Sequence, residues 1–192
     1  MRLLTLLFNK FKKPTPTPKD VGAKPINTKP PHIITDSFFN KVWDKISQER
    51  IETLHPAIRQ KAISFINEVE KRLKIQLRVT SALRTWEEQD RLYAQGRTEK
   101  GSIVTNVRGG FSNHNYGLAL DVVPIIKGKA VFDTDKWEDI AKIGKEIGFD
   151  WGGDWKSFKD KPHFEMTFGK TIRELRSMYL YGKRDGVYLK FI

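Results

Sequence analysis

Cysteine is absent from all 192 residues, which removes disulfide frameworks, thiolate zinc sites, iron–sulfur clusters and a cysteine nucleophile together. Any metal bound here is held by nitrogen and oxygen ligands. Long apolar runs are missing as well, and nothing approaches the roughly 20 residues of a membrane-spanning helix. The N-terminal apolar stretch, residues 3–8, falls short of the roughly 7–15 residues of a secretory signal core, and no small-residue cleavage site follows it. No cleavable signal peptide is expected. The positive charge comes without a nucleic-acid-binding fold motif or an interleaving of basic and aromatic residues, so no nucleic acid partner is expected either.

What the chain does have is unevenly placed. Lys and Arg number 35 against 23 Asp and Glu, for a formal charge of +12, and half of that charge sits in residues 1–31. The same stretch holds six of the nine prolines. Such a composition buries too little apolar surface to offset its ordering entropy, so residues 1–35 are expected to be a flexible basic segment. Leu3, Leu7 and Phe11 share a helical face there, which suits a peripheral membrane contact. An unstructured arm drawn to anionic wall polymer suits residues 1–31 equally well. The remainder, 36–192, has the length and the 39% hydrophobic content of one domain with a real core.

Within that domain, Ile58, Ala62, Phe65, Ile66, Val69 and Leu73 recur at helical spacing, and Ile75, Leu77 and Val79 then alternate as in a strand. Thr85 with Glu88 forms a capping-box pattern, predicting a helix from Trp86 that stops before Gly96. Residues 96–113, rich in Gly, Asn and Thr, read as a long irregular loop. Leu118–Val123 reads as a buried strand, and Asp135 with Glu138 as the cap of a helix carrying Trp137, Ile140, Ala141, Gly144 and Ile147. His163–Thr167 reads as a last strand, and Thr171 with Glu174 caps a last helix ending near Gly182. Helices and strands alternate without βαβ spacing, so the fold class is α+β.

Asp121 stands inside an apolar strand, where a carboxylate costs several kcal/mol unless it is paired or bound to a metal. His114 lies just upstream, and His163 opens the last strand. Two imidazoles and one carboxylate are a common catalytic zinc set with an open position. Asp160, three residues before His163, is placed to accept a proton. Plainer readings exist for each: Asp121 paired with a lysine or arginine, Asp160 as a turn residue before Pro162, Arg84 in a strand-end salt bridge. Glu165 shares a strand face with His163 and orients a ligand or lies at the surface. Ser112 contacts substrate or caps the loop. Trp155 walls a cleft or packs.

Taken together, Ser112-x-His114-x-x-Gly117-x-Ala119-x-Asp121 and Asp160-x-Pro162-His163-Phe164-Glu165 resemble the LAS-type zinc peptidases of peptidoglycan stem peptides. The family includes D-alanyl-D-alanine carboxypeptidases and L-alanyl-D-glutamate endopeptidases, the latter used as phage endolysins. The resemblance extends to Ser81-Ala82-Leu83-Arg84-Thr85, to residues 89–97, to 104–110 and to Trp151-Gly152-Gly153-Asp154-Trp155, covering roughly residues 50–170. It implies a small antiparallel sheet flanked by helices, as in hedgehog and D-Ala-D-Ala peptidase domains. It also implies one Zn2+ per chain on His114, Asp121 and His163, with Asp160 as general base and Arg84 polarising the scissile carbonyl. The implied activity is an L-alanyl-D-glutamate endopeptidase on bacterial peptidoglycan, with a D-alanyl-D-alanine carboxypeptidase or a non-catalytic wall-binding module as alternatives. A monomer is expected, held in the host cytoplasm before release and acting in the periplasm or wall.

Overall fold

The computed structural model describes residues 41–191. The expected basic segment 1–35 and its boundary with the folded domain lie outside the described residues. Helix α1 (Lys45–Glu52) leads into α2 (Pro56–Leu73), strand β1 (Gln76–Ser81) and α3 (Trp86–Ala94). After a long loop come a 3-10 turn (Asn113–Tyr116), β2 (Ala119–Ile126), β3 (Lys129–Ala130) and α4 (Trp137–Ile147). Then follow β4 (Asp150–Trp151), a second 3-10 turn (Gly152–Asp154), β5 (His163–Glu165), α5 (Ile172–Leu180) and the hairpin β6 (Arg184–Asp185) and β7 (Tyr188–Leu189). The main sheet is antiparallel in the order β1-β2-β5-β4, with β3 pairing the far end of β2. This is the α+β arrangement expected from the sequence.

Period-two alternation sorts the sheet into two faces. Leu77, Val79, Leu120, Val122 and Phe164 enter the core against the apolar faces of α2 and α4. Asp121, His163 and Glu165 therefore stand on the opposite face. Helix α4 comes close to the sheet because residue 144 is glycine: a Cβ there would lie 2.8 Å from the Phe164 ring. The open edge of β1 is covered by side chains. Trp43 Nε1 donates to the Leu77 carbonyl, Ser47 Oγ accepts from the Val79 amide, and Arg50 donates to the Val79 carbonyl. Such covering blocks edge-to-edge pairing with another chain.

Both capping boxes form, at Thr85–Glu88 and Thr171–Glu174. The cap expected of Asp135 does not. Burial of Trp137 starts α4 one residue later, so Lys136 occupies the cap position and its amide donates to Thr134 Oγ1 at 3.3 Å, while Asp135 is exposed. Strand β2 runs on to Ile126, past the expected end at Val123, because β3 folds back to pair with Ile125 and Ile126.

Candidate metal centre

Register brings the site together. Asp121 lies directly opposite His163 across the β2–β5 pair, and Ala119 opposite Glu165. A bulge between Val79 and Ser81 turns Ser81 onto the face that carries Asp121 and pairs the two residues. His114 arrives from the 3-10 turn before β2. That turn is fixed to residues 82–85: the Arg84 amide donates to the His114 carbonyl, and Asn115 Nδ2 donates to the carbonyls of Arg84 and Thr85.

The result is a triangle of ligand atoms. His114 Nε2 lies 3.2 Å from Asp121 Oδ1 and 3.2 Å from His163 Nδ1, and His163 Nδ1 lies 3.1 Å from Asp121 Oδ1. The outer nitrogen of each ring is committed elsewhere. His114 Nδ1 donates to the Ala82 carbonyl at 2.7 Å, and His163 Nε2 donates to Glu165 Oε2 at 2.7 Å. In neutral imidazoles this leaves both inner nitrogens as bare lone pairs facing a carboxylate oxygen. Three acceptors converging in this way suit a cation between them, a metal ion or, in its absence, a proton on His163. Ligands about 2.0–2.1 Å from a tetrahedral zinc ion sit about 3.3–3.4 Å apart, so the triangle fits such an ion with little adjustment. The donor set therefore fits a divalent metal.

The protonation equilibria of the metal-free site follow the same logic. Burial disfavours the charged form of Asp121, but the charges and hydrogen bonds of His114 and His163 outweigh it and hold the carboxyl far below its ordinary value. Burial likewise opposes a charged His163, yet hydrogen bonds and charge from Asp121 and Glu165 raise it to about 9.

Asp160 sits half-buried on the turn leading into β5 and accepts its backbone bond from His163. Burial first, and then the charge of Asp121, push its carboxyl up from the ordinary range. Gly152 makes this turn possible, since a Cβ there would lie 2.5 Å from the Asp160 carbonyl oxygen. Arg84 points at the metal group: Nη2 donates to Ser81 Oγ at 2.8 Å and approaches Asp121 Oδ2 at 3.5 Å.

The salt bridge to Asp121 that the plainer reading expects of Arg84 is present. Glu165 is drawn in as a partner of His163 and receives Asn113 Nδ2 at 2.8 Å. Trp155 tilts against the His163 ring at 5.0 Å between centroids. Ser112 sits at the start of the 3-10 turn, its amide donating to Asn115 Oδ1, which makes it a cap.

Gln89 escaped the sequence reading. It is fully buried, accepts from Arg84 Nη1 at 2.7 Å, and donates to Thr105 Oγ1 at 3.1 Å and the Val107 carbonyl at 2.8 Å. Its one sequence signal is a polar residue five positions beyond Arg84, on the inner face of α3.

A family model described as D-alanyl-D-alanine carboxypeptidase matches residues 105–166, which contain His114, Asp121, Asp160 and His163. The chain is 44% identical over 123 residues to a peptidoglycan L-alanyl-D-glutamate endopeptidase, CwlK, of Bacillus subtilis, covering 59% of this chain and 73% of that protein. It is 37% identical over 86 residues to an L-alanyl-D-glutamate peptidase of Listeria phage A118, covering 40% of this chain and 30% of the phage protein. Among solved structures, the Serratia marcescens L-Ala D-Glu endopeptidase ChiX overlaps 73% of this chain and 98% of its own, at 24% identity and a TM-score of 0.49. With most of the Bacillus protein matched at that identity, the chain belongs to the LAS-type peptidases, the D-alanyl-D-alanine carboxypeptidase and L-alanyl-D-glutamate endopeptidase family.

Proposed function

We propose that this peptidase is zinc-dependent and hydrolyses the bond between L-alanine and D-glutamate in peptidoglycan stem peptides. The observation that carries the chemistry is the triangle formed by two imidazole nitrogens and a carboxylate oxygen, each 3.1–3.2 Å from the next. When bound there, zinc supplies Lewis acidity and makes water a nucleophile near neutral pH. His114, Asp121 and His163 hold it, with Ala82 and Glu165 fixing the orientation of the two rings.

Asp160 takes the proton from the attacking water and returns it to the leaving amine. A carboxyl raised by burial is better matched to that exchange than an exposed one. Arg84 faces the negative charge that grows on the carbonyl oxygen, its guanidinium held by Ser81 and Gln89 so that no reorientation is needed during reaction. Trp155 packs its ring against His163 and helps fix that imidazole.

The choice of bond is supported by the 44% identity to an L-alanyl-D-glutamate endopeptidase. Purified sacculi digested with and without a chelator test it. New L-alanine carboxyl termini that appear only with metal support the endopeptidase. Released D-alanine identifies a carboxypeptidase instead, and wall binding without any new terminus identifies a non-catalytic module.

A further inference from the structure

Away from the metal centre, the C-terminal segment forms an open groove of about 600 Å3. Lys170, Arg173, Lys183 and Lys190 line it, together with Phe168 and Phe191. No ion pair or side-chain hydrogen bond engages the four cations among the described residues. The groove's one carboxylate, Glu174, is occupied by the amide and hydroxyl of Thr171 in the α5 capping box.

The groove is preformed. His55 Nε2 donates to the Leu189 carbonyl at 2.7 Å, Tyr188 donates to the Thr53 carbonyl, and the His55 ring packs against Phe191 at 5.0 Å. Phe168 is 45% exposed, lies 4.9 Å from Phe191 between ring centroids, and holds a left-handed φ of 53°. A bulky residue in that conformation stores strain, and strain of this kind gathers where a side chain is displayed to a ligand.

We propose that this groove binds a phosphodiester-linked anionic polymer of the cell wall. Four cations against the single Glu174 carboxylate, which Lys170 faces electrostatically, leave more positive charge than one phosphate needs, which calls for repeating charge. The paired rings add nothing to inorganic phosphate but offer an apolar surface to the carbon spacer between phosphates. Arginine and lysine together suit phosphate oxygens, one as a planar fork and the other as a point charge. The choice of a wall polymer over a lipid surface rests on the stem-peptidase function proposed above. The groove would hold the enzyme on the wall while the metal centre acts on nearby peptides.

Fluorescence anisotropy with labelled poly(glycerol phosphate) and the full chain, at fixed ionic strength, tests the proposal. The double variant K183Q/K190Q is expected to weaken binding roughly fivefold to tenfold. K129Q/K142Q, with the same loss of charge on other faces, is expected to stay within roughly twofold. Phe168→Gly removes the ring at a position whose φ glycine tolerates, and is expected to weaken binding roughly threefold while leaving the melting temperature unlowered. Equal losses in the groove and control variants overturn the proposal, as does no loss in K183Q/K190Q and F168G. Tighter groove-dependent binding to anionic phospholipid vesicles or single-stranded DNA overturns it too. Cleavage of a short soluble stem peptide should be unchanged in every variant. Its absence from the parent protein would refute the proposed peptidase function and leave the binding result standing.

Discussion

At the level of single residues, the proposed mechanism separates holding a metal from moving a proton. Asp160→Asn keeps the turn into β5 and removes the proposed base. Zinc content should stay at one per chain while turnover falls by roughly 10²–10⁴. Zinc analysis beside a stem-peptide assay checks this, and equal loss of zinc would mean that Asp160 is a ligand.

Gln89→Leu frees the Arg84 guanidinium and leaves Thr105 and Val107 without their donor. It should lower kcat roughly tenfold or more with zinc retained. Gln89→Glu keeps the acceptor facing Arg84 and should recover part of kcat, which a merely structural role for Gln89 would not produce. His163 gives a pH signature. In the metal-free protein its imidazole is held at about 9 against about 6.5 when unfolded, so its stabilisation is complete below about pH 6.5 and is lost as pH rises through 9. Calorimetry of chelated protein should show a melting temperature that falls from pH 6.5 to 9. A flat or rising trend would contradict the His163–Asp121–Glu165 coupling.

At the level of elements, the turn carrying Asp160 depends on Gly152. Gly152→Ala would bring a Cβ to 2.5 Å from the Asp160 carbonyl, so the turn must shift. Displacement of about 1 Å should cost roughly 10² in turnover and loosen zinc, read by kcat and by competition with a chelator. Unchanged values would show that the turn is not what positions Asp160.

The elements that the sequence announced are those with local physics behind them. The periodic apolar face of α2, the capping boxes of α3 and α5, and the alternation in β1 depend on neighbours within a few residues. Helix α1 and the β6–β7 hairpin went unread because their reasons are long-range. The first covers the edge of β1, and the second is pinned by His55 from the far end of the chain. At the site, His114, Asp121, His163, Asp160 and Arg84 stood out through residue type, spacing and family likeness. Gln89 and Asn113 did not, because each matters only through a partner that folding brings near.

For the whole molecule, the sheet divides the labour. One face is an apolar core under α2 and α4, and the other displays a buried cluster of acids and imidazoles that is costly without a cation. Metal binding should therefore stabilise the fold by mass action, and zinc at 100 times its dissociation constant adds about 2.7 kcal/mol. The most direct test is anomalous diffraction at the zinc edge from crystals of the metal-loaded chain. A single peak is predicted about 2.0–2.2 Å from His114 Nε2, Asp121 Oδ1 and His163 Nδ1. No peak among these three atoms, or one bound by other side chains, would contradict the metal centre on which the proposed chemistry rests.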